Sequence, residues 1–267
     1  KKGSSSAKDF NWEELHLESH ELDLHELESP ITEAEVREAI NDMPSDKAPG
    51  PDGFTGIFFK KCWEIIKHDV MRAIHQFDSL HTRPISIGST LQNIVLLPKK
   101  EGAEGIADFR PISLIHAFAK ILVKVLSIRL APHMNKLVSN AHSAFIKTRS
   151  IHDNFMCVRY LARRLHKCKT PSLLFKLDIR KAFDLVKWEY ILDLLRRRGF
   201  PCKFRNWIAT LLCTSSSRLL LNGVAGPPVK HGQGFRQGDL LSPLLFVIAI
   251  DPLQQLLDFG SPKEIAP

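Results

Sequence analysis

The chain has 267 residues, of which 44% are hydrophobic, and its 37 basic and 29 acidic side chains give a net charge of +8. This length and composition predict one large domain or two smaller ones with a substantial core, and they exclude a fully disordered protein. The charge is unevenly spread, because residues 1–40 sum to −7 and the remaining residues to +15. An acidic leader therefore precedes a body whose charge suits a polyanionic partner.

The cysteines and the longest apolar run exclude further classes of protein, namely disulfide-stabilised, zinc-module and membrane-spanning ones. The five cysteines are widely spaced and form no CxxC pair, so we predict reduced thiols in a nuclear or cytoplasmic protein, without a disulfide framework or a zinc module. The longest apolar run, residues 244–250, is far shorter than the roughly 18–20 residues of a membrane-spanning helix. No signal peptide is evident, and the first methionine is Met43, so we expect a piece of a longer polypeptide.

The N-terminal elements are a polar leader, a capped helix and a rigid loop. Residues 1–30 are acidic or flexible and end at a proline. Thr32 and Glu35 then form a capping box, which predicts a helix through about Asp42. Residues 43–54, MPSDKAPGPDGF, hold three prolines and two glycines, so we predict an irregular loop.

The rest of the chain alternates predicted helices and strands without an internal repeat. Apolar periodicity predicts helices over residues 57–80, 116–138, 151–168, 188–198, 202–213 and 242–258. Short β-prone runs predict strands over residues 91–100, 108–114, 172–178, 217–222 and 227–232. Strands separated by helices without a regular βαβ period indicate an α+β fold.

The segment at residues 175–184, FKLDIRKAFD, carries the most specific chemistry. A short apolar run delivers Asp178 at its end, and a helix-type segment containing Phe183 and Asp184 follows at once. A carboxylate at a strand end is typical of a metal-binding position in nucleotidyl transfer. On these residues alone, a helix N-cap is the simpler interpretation of Asp178.

Basic side chains concentrate in two helical segments. The first includes Arg159, Arg163 and Arg164, and the second is the run at residues 196–198. A solvated helix face and a phosphate-binding surface explain these clusters equally well.

Five motifs together resemble the reverse transcriptases of plant LINE-type non-LTR retrotransposons. In the order and spacing of that family, over residues 31–258, they are DKAPGPDGF, LPKK with DFRPISL, SAFIKTRSIHDN, KLDIRKAFD and GFRQGDLLSPLLF. The resemblance implies an α+β right-hand polymerase with mixed helices, a small antiparallel palm sheet and no thumb. It divides the chain into a leader (1–30), a fingers-like region containing the KAPGPDG loop (31–170) and a partial palm (171–267).

The resemblance also implies two-Mg²⁺ transfer of a nucleotide from a dNTP to the 3′-hydroxyl of a DNA primer on an RNA template. Asp178 matches the first catalytic Asp of the palm, and the resemblance implies that it binds the metal ions together with the carbonyl of Ile179. Phe183 matches the aromatic side chain that excludes the ribose 2′-hydroxyl. Packing in the core is an alternative role for Phe183, and the two roles can overlap. No membrane partner is implied.

Further positions of the family pattern contact the nucleotide and the nucleic acid. Clamping of the triphosphate is implied for Arg110 and for one of Lys99 or Lys100, since Arg makes bidentate phosphate contacts and Lys supplies a mobile charge. The template-contacting motif implies a phosphate or base contact for Arg149. The remaining implied nucleotide contacts are the amides of Lys181 and Ala182, together with Gln237 and Gly238.

The chain also departs from the family pattern. Where the family has Gln, Gly and often Pro, this chain has His142, Thr148 and Leu240. If position 148 needs a positive φ, Thr148 would strain the backbone. The [FY]xDD block is missing, because no Asp-Asp pair occurs in the chain. We therefore expect a catalytically incomplete part of a LINE polymerase, or alternatively a non-catalytic remnant that at most binds nucleic acid.

Overall fold

A computed structural model describes residues 22–79, 90–174, 176–236 and 238–259. Most of the predicted leader, residues 1–21, lies outside them. The helices are α1 (Glu33–Asn41), α2 (Gly56–Asp78), α3 (Ala117–Leu130), α4 (Met134–Leu137), α5 (Ile151–Lys167), α6 (Ala182–Leu185), α7 (Trp188–Arg197), α8 (Cys202–Cys213) and α9 (Ser242–Phe259). The strands are β1 (Thr90–Pro98), β2 (Phe109–Ile115), β3 (Ser215–Leu221), β4 (Val224–Ala225) and β5 (Val229–Lys230).

These strands form one mixed sheet in the order β2-β1-β3-β4, with β5 also paired to β3. β1 and β2 are antiparallel, with Pro98 opposite Phe109 at one end. β1 and β3 are parallel, with Thr90 opposite Ser215, so the antiparallel sheet predicted above is correct for most strand pairs but not for this one. The sheet also crosses the predicted boundary at residue 170, since β3 follows it and β1 precedes it.

The predicted capping box forms at the start of α1. The Thr32 hydroxyl accepts from the amide of Glu35 at 3.3 Å, and the Glu35 carboxylate accepts from the amide of Thr32 at 2.9 Å. Arg129, near the end of α3, donates to both oxygens of the same carboxylate at 2.6 and 2.8 Å. Although partial burial alone would raise the pKa of Glu35, the hydrogen bonds from Arg129 and Thr32 lower that pKa to about 2. The cap therefore joins α1 to α3.

The core lies between the α1–α3 group and the α7–α9 group. Phe77 of α2 stacks on Trp207 of α8, with ring centroids 6.2 Å apart. Fully buried aliphatic and aromatic side chains from all these helices fill the space, among them Ile40, Ile74, Ile121, Leu126, Ile191, Phe204 and Ile248. No helix among the residues placed by the structure is both long and apolar enough to cross a membrane.

The strand predicted over residues 172–178 is absent from the described part of that segment. Its backbone is irregular, and Leu173 and Leu174 are 90% and 77% exposed. Strand formation depends on pairing as much as on residue type, and no described strand pairs with this run. Helix α5 immediately before it is also exposed along nearly its whole length. The predicted helix over 116–138 is interrupted at residues 131–133, where Pro132 lies in a 3-10 turn.

Candidate nucleotide and nucleic-acid site

The KAPGPDG loop is fixed against the junction of β2 and α3. A Cβ atom at Gly50 would overlap the backbone carbonyl of Ile115, so only glycine allows this approach. Asp52 accepts a hydrogen bond from the amide of Ala117 at 2.6 Å and thereby caps the first turn of α3. The loop thus holds the end of β2, the strand that carries Arg110, in a defined position.

An open cleft of about 540 Å³ lies beside β2. It is lined by Lys99, Arg110, Ile112 and Gly238, together with Phe109 and Pro111. Three of the predicted nucleotide-binding residues, Lys99, Arg110 and Gly238, therefore meet at one surface. Gly238 has a φ of +99°, which glycine adopts without strain. Gln237 lies outside the described residues.

The two candidate lysines differ in their surroundings. The ammonium group of Lys99 donates to the carbonyl of Ala107 at 2.6 Å and lines the cleft. Lys100 instead pairs with Asp108 at 3.0 Å, and the hydrogen bond from Lys100 lowers the pKa of that carboxyl group. Of the two alternatives left open by the sequence, Lys99 is the one at the cleft.

The KAFD turn and the segment before RQG are hydrogen-bonded to each other. The amide of Phe235 donates to the carbonyl of Phe183 at 2.9 Å, and the amide of Gly234 donates to Val186 at 2.8 Å. A Cβ atom at Gly234 would lie 2.8 Å from the carbonyl oxygen of Asp184. These contacts hold together two motifs that are some fifty positions apart.

Within the KAFD turn, the predicted residues take distinct positions. Lys181 has a φ of +53° and precedes the single turn of α6, which begins at Ala182. Phe183 is half-buried and stacks on Phe246 of α9, with ring centroids 4.2 Å apart. The structure therefore shows the packing role for Phe183, whereas exclusion of a ribose hydroxyl stays a prediction.

The predicted metal ligands lie in the exposed irregular segment. Asp178 and Ile179 are both exposed there, and Ile179 keeps 45% of its surface accessible. Among the described residues, no group of three or more His, Cys, Asp or Glu side chains could hold a metal ion. Two Mg²⁺ ions need several converging oxygen ligands, so the donors described here do not fit a complete two-metal site. The metal assignment of Asp178 and Ile179 stays a prediction.

Arg149 is engaged inside its own loop. Its guanidinium donates to the carbonyls of Ser139 and His142 at 2.6 and 2.7 Å, and to the side-chain oxygen of Asn135 at 3.1 Å. Weaker bonds reach the carbonyls of Asn135 and Val138 and the side chain of Asn140. In this geometry the guanidinium joins the end of α4 to the loop at residues 138–142, and its predicted nucleic-acid contact stays untested.

The departures at positions 142 and 148 are accommodated without strain. Thr148 exchanges hydrogen bonds with the Asn135 side chain at 2.8 and 3.0 Å, and its φ is not positive. The residue with a positive φ in this loop is Phe145, at +63°. The imidazole of His142 lies 3.1 Å from the carboxylate of Asp251.

Asp251 is a buried charged residue beside the loop of Arg149 that could not be placed from the sequence motifs. It lies in α9, is 1% exposed, and accepts from Arg198 at 2.5 Å and from the amide of Ser139 at 2.8 Å. Although burial would raise its pKa, hydrogen bonds from His142, Arg198 and Ser139 lower it. A lone Asp inside the apolar run FVIAIDPL is the signal that could have found it, because buried carboxylates are nearly always paired.

The start of α9 is capped by Asp239. Ser242 is already helical and is the first residue of α9. The carboxylate of Asp239 accepts from the amides of Leu241 and Ser242 at 2.7 and 3.2 Å. Burial raises the pKa of Asp239. This cap fixes Asp239, the residue after Gly238, relative to α9.

The arginines of α5 are separate from the cleft. Arg159, Arg163 and Arg164 are all exposed on this helix, and none of them lines the cleft beside β2. They form a basic surface without a described partner element, which is compatible with either explanation given above for the basic clusters.

Comparison with known proteins places these features in a family. The family described as "Reverse transcriptase (RNA-dependent DNA polymerase)" matches residues 97–260. The "Transposon TX1 uncharacterized 149 kDa protein" of Xenopus laevis is 31% identical over 86% of this chain and 18% of its own length. The R2DM retrotransposable element Pol polyprotein of Drosophila melanogaster is 31% identical over 90% of this chain and 22% of its own length.

A third relative has a similar identity and coverage. The R2 element Pol polyprotein of Nasonia vitripennis is 29% identical over 91% of this chain and 23% of its own length. The chain thus spans about a fifth of the length of these relatives. These relatives come from a frog and two insects, and the predicted plant origin stays a prediction.

Among solved structures, one chain of the "Partial Cas6-RT-Cas1--Cas2 complex" aligns with 89% of this chain and 35% of its own length. The TM-score is 0.48 and the sequence identity is 17%. This likeness is too low to add to the assignment. The family match over residues 97–260 and the five ordered motifs decide it. The chain belongs to the reverse transcriptase (RNA-dependent DNA polymerase) family.

Proposed function

We propose that this chain supplies the fingers-like region (31–170) and part of the palm (171–267) of a LINE-type RNA-directed DNA polymerase. The observation that carries this proposal is the cleft in which Lys99 and Arg110 face Gly238 of the RQG turn. Two cationic side chains beside an exposed glycine backbone suit a triphosphate, because phosphate oxygens accept from Arg, Lys and backbone amides. RNA template, DNA primer and dNTPs are the proposed partners.

Each residue in this proposal has a distinct role. Arg110 and Lys99 neutralise the triphosphate, and Gly238 lets the backbone approach the nucleotide. The amides of Lys181 and Ala182 lie on the turn that carries Phe183, which would face the sugar. Asp178 and the carbonyl of Ile179 would hold part of a Mg²⁺ ligand set, and the bound metal would supply neutralisation of phosphate charge.

Nucleotide binding tests the cleft directly. We expect a fluorescent dNTP analogue to bind the chain, and Arg110→Ala to weaken that binding roughly 10- to 100-fold, because a charged hydrogen bond contributes about 1.5–3 kcal/mol. Arg72→Ala is the matched control, since Arg72 is an exposed arginine on α2 outside the cleft. Equal affinities for the two variants would contradict the assignment of the cleft.

A primer-extension assay tests separately whether the chain has enough carboxylates for catalysis. We predict no primer extension on an RNA template with Mg²⁺ and dNTPs, because the chain contains no Asp-Asp pair. Extension that is abolished by Asp178→Ala would contradict this prediction and would support a complete active site.

The alternative function is nucleic-acid binding by a non-catalytic remnant. The exposed arginines of α5 and the charge of +15 after residue 40 favour it. We expect RNA and DNA binding whose affinity falls steeply with salt, because counterions are released on binding. An affinity that stays constant between 50 and 200 mM salt, or no binding at low salt, would count against it.

A further inference from the structure

A second cavity, which we call the inner cavity, lies between β1, β2, β3 and the segment that precedes the RQG turn. It has a volume of about 280 Å³, and of its described lining residues Pro111 alone also lines the cleft beside β2. Gln92 and Arg236, which are 2% and 8% exposed, mark its inner end, whereas the exposed residues Asp184 and Gln233 mark its mouth. The inner cavity has no role in the nucleotide transfer proposed above.

The carboxamide at the inner end has one unsatisfied atom. Nε2 of Gln92 donates to the hydroxyl of Ser217 at 2.8 Å. Oε1 of Gln92 is buried and receives no hydrogen bond from the residues that the structure describes. Buried polar atoms nearly always have a partner, because an unsatisfied one keeps the full cost of losing its water. An occupant of the cavity that carries an N–H or O–H group would supply the missing donor.

The charges that line the inner cavity favour an uncharged occupant. The hydroxyl of Ser217 is hydrogen-bonded to Nε2 of His231. Burial, and to a smaller extent the positive charge of Arg236, lower the pKa of His231, so its imidazole is uncharged at neutral pH. Arg236 and Asp184 bring opposite charges to the lining. An anion would meet the carboxylate and a cation would meet the guanidinium, whereas a neutral polar molecule avoids both repulsions.

The walls and the volume favour a single flat ring. Apolar side chains from four parts of the chain form the walls, namely Ile94, Pro111, Leu212 and Phe235. Ser113 and Ser215 add hydroxyl groups to the same lining. An apolar cavity of about 150 Å³ holds benzene, and drug-sized ligands occupy about 300–1,000 Å³. A volume of about 280 Å³ therefore suits one substituted ring, with its apolar faces against the walls and a polar edge toward Gln92.

We propose that the inner cavity binds a small uncharged heterocycle in which an N–H group stands next to a carbonyl group, as in a lactam. The N–H donates to Oε1 of Gln92, and the hydroxyls of Ser113 and Ser215 are the donors for the carbonyl oxygen. A lactam carries no charge at neutral pH and has its donor and acceptor on one edge of a flat ring. It thus matches the charge, the inner end and the walls of the cavity.

The probe for this site is 5-fluoro-2-pyridone, a lactam whose binding to the full chain can be followed by fluorine NMR. We expect saturable binding. The N-methyl derivative lacks the donor and should bind roughly 3- to 10-fold more weakly, which is the range for loss of one uncharged hydrogen bond. An excess of dNTP should not displace the pyridone, because the dNTP occupies the cleft beside β2. These measurements use the unsubstituted chain and do not depend on the folding of a variant.

Two variants assign the contact to Gln92. Gln92→Met removes the carboxamide and keeps a side chain of similar length, so the pyridone should bind roughly 3- to 10-fold more weakly. In this variant N-methylation should change the affinity less than about 2-fold, because the contact that it removes is already absent. Gln76→Met is the matched control and should bind the pyridone like the unsubstituted chain, since Gln76 is exposed on α2 and does not line the cavity.

The unfavourable outcomes are specific. No saturable binding of the pyridone, or equal affinities for the pyridone and its N-methyl derivative, would overturn the proposal. Displacement by dNTP would also overturn it, since the pyridone would then lie in the nucleotide cleft. An N-methyl effect that persists in Gln92→Met would have a steric cause, and an equal loss in Gln76→Met would be a general effect of substitution, so either result contradicts the contact. Binding of the fluorescent dNTP analogue is measured independently, so the site and the proposed function can fail separately.

Discussion

The carboxylate of Glu35 provides a quantitative test of how the N-terminal helices are joined. Glu35→Gln keeps an oxygen for the amide of Thr32 but removes the charge that faces Arg129. A pKa lowered from 4.5 to about 2 corresponds to at most about 3 kcal/mol of folding free energy. Since the side chain is 29% exposed, solvent screening reduces this to about 1–2 kcal/mol.

The effect of pH on this contribution has a defined sign. The pKa is lower in the folded chain, so the stabilisation by Glu35 is complete above pH 4.5 and is lost as the pH falls toward 2. Urea unfolding at pH 7 should therefore show a loss of about 1–2 kcal/mol for Glu35→Gln, and at pH 3 less than half of that difference should remain. Glu33→Gln, in the same helical turn but exposed, is the control. Equal stability of the two variants at pH 7, or an undiminished difference at pH 3, would contradict a stabilising charge at Glu35.

Two more stability predictions follow from close packing and from buried charge. Gly50→Ala should cost more than about 2 kcal/mol because its Cβ overlaps backbone, whereas Gly53→Ala, in open space at a φ of +74°, should cost about 1 kcal/mol. Equal losses in urea unfolding would contradict the overlap at Gly50. Asp251→Asn should cost about 3–5 kcal/mol because it leaves the buried Arg198 unbalanced, while Asp193→Asn removes only surface pairs and should cost at most about 1 kcal/mol. A loss below about 1 kcal/mol for Asp251→Asn would show that the pair is not buried in solution.

The elements that could be predicted from the sequence are those whose signals are local. The capping box at Thr32 and the apolar periodicity of residues 188–198 and 202–213 place α1, α7 and α8 to within about a residue. The run at residues 172–178 has a composition that favours a strand, but its backbone is irregular where the structure describes it. A helix satisfies its own backbone, whereas a strand needs a partner that its own residues do not specify.

The candidate site also contains some features that could be predicted from the sequence and others that could not. Lys99, Arg110 and Gly238 were predicted from motifs and do meet at one cleft. The engagement of Arg149 with carbonyls could not be predicted, because an arginine in a motif does not reveal which acceptors the folded loop turns toward it. The positive φ at Phe145 has no signal either, since Gly and Asn are the residues that usually mark it.

The parallel pairing of β1 with β3 has a consequence for the way the chain folds. The hydrogen bond from Gln92 to Ser217 joins residues 125 positions apart, so the central strand pair cannot close until all the helices from α3 to α8 have been synthesised. At about 5–20 residues per second, translation separates the two strands by roughly 6–25 s. During that interval β1 can pair with β2, which is synthesised soon after it. The opposite edge of β1, which later pairs with β3, stays unpaired. Assembly of the sheet is therefore a late folding step, and contacts of such high sequence separation form slowly.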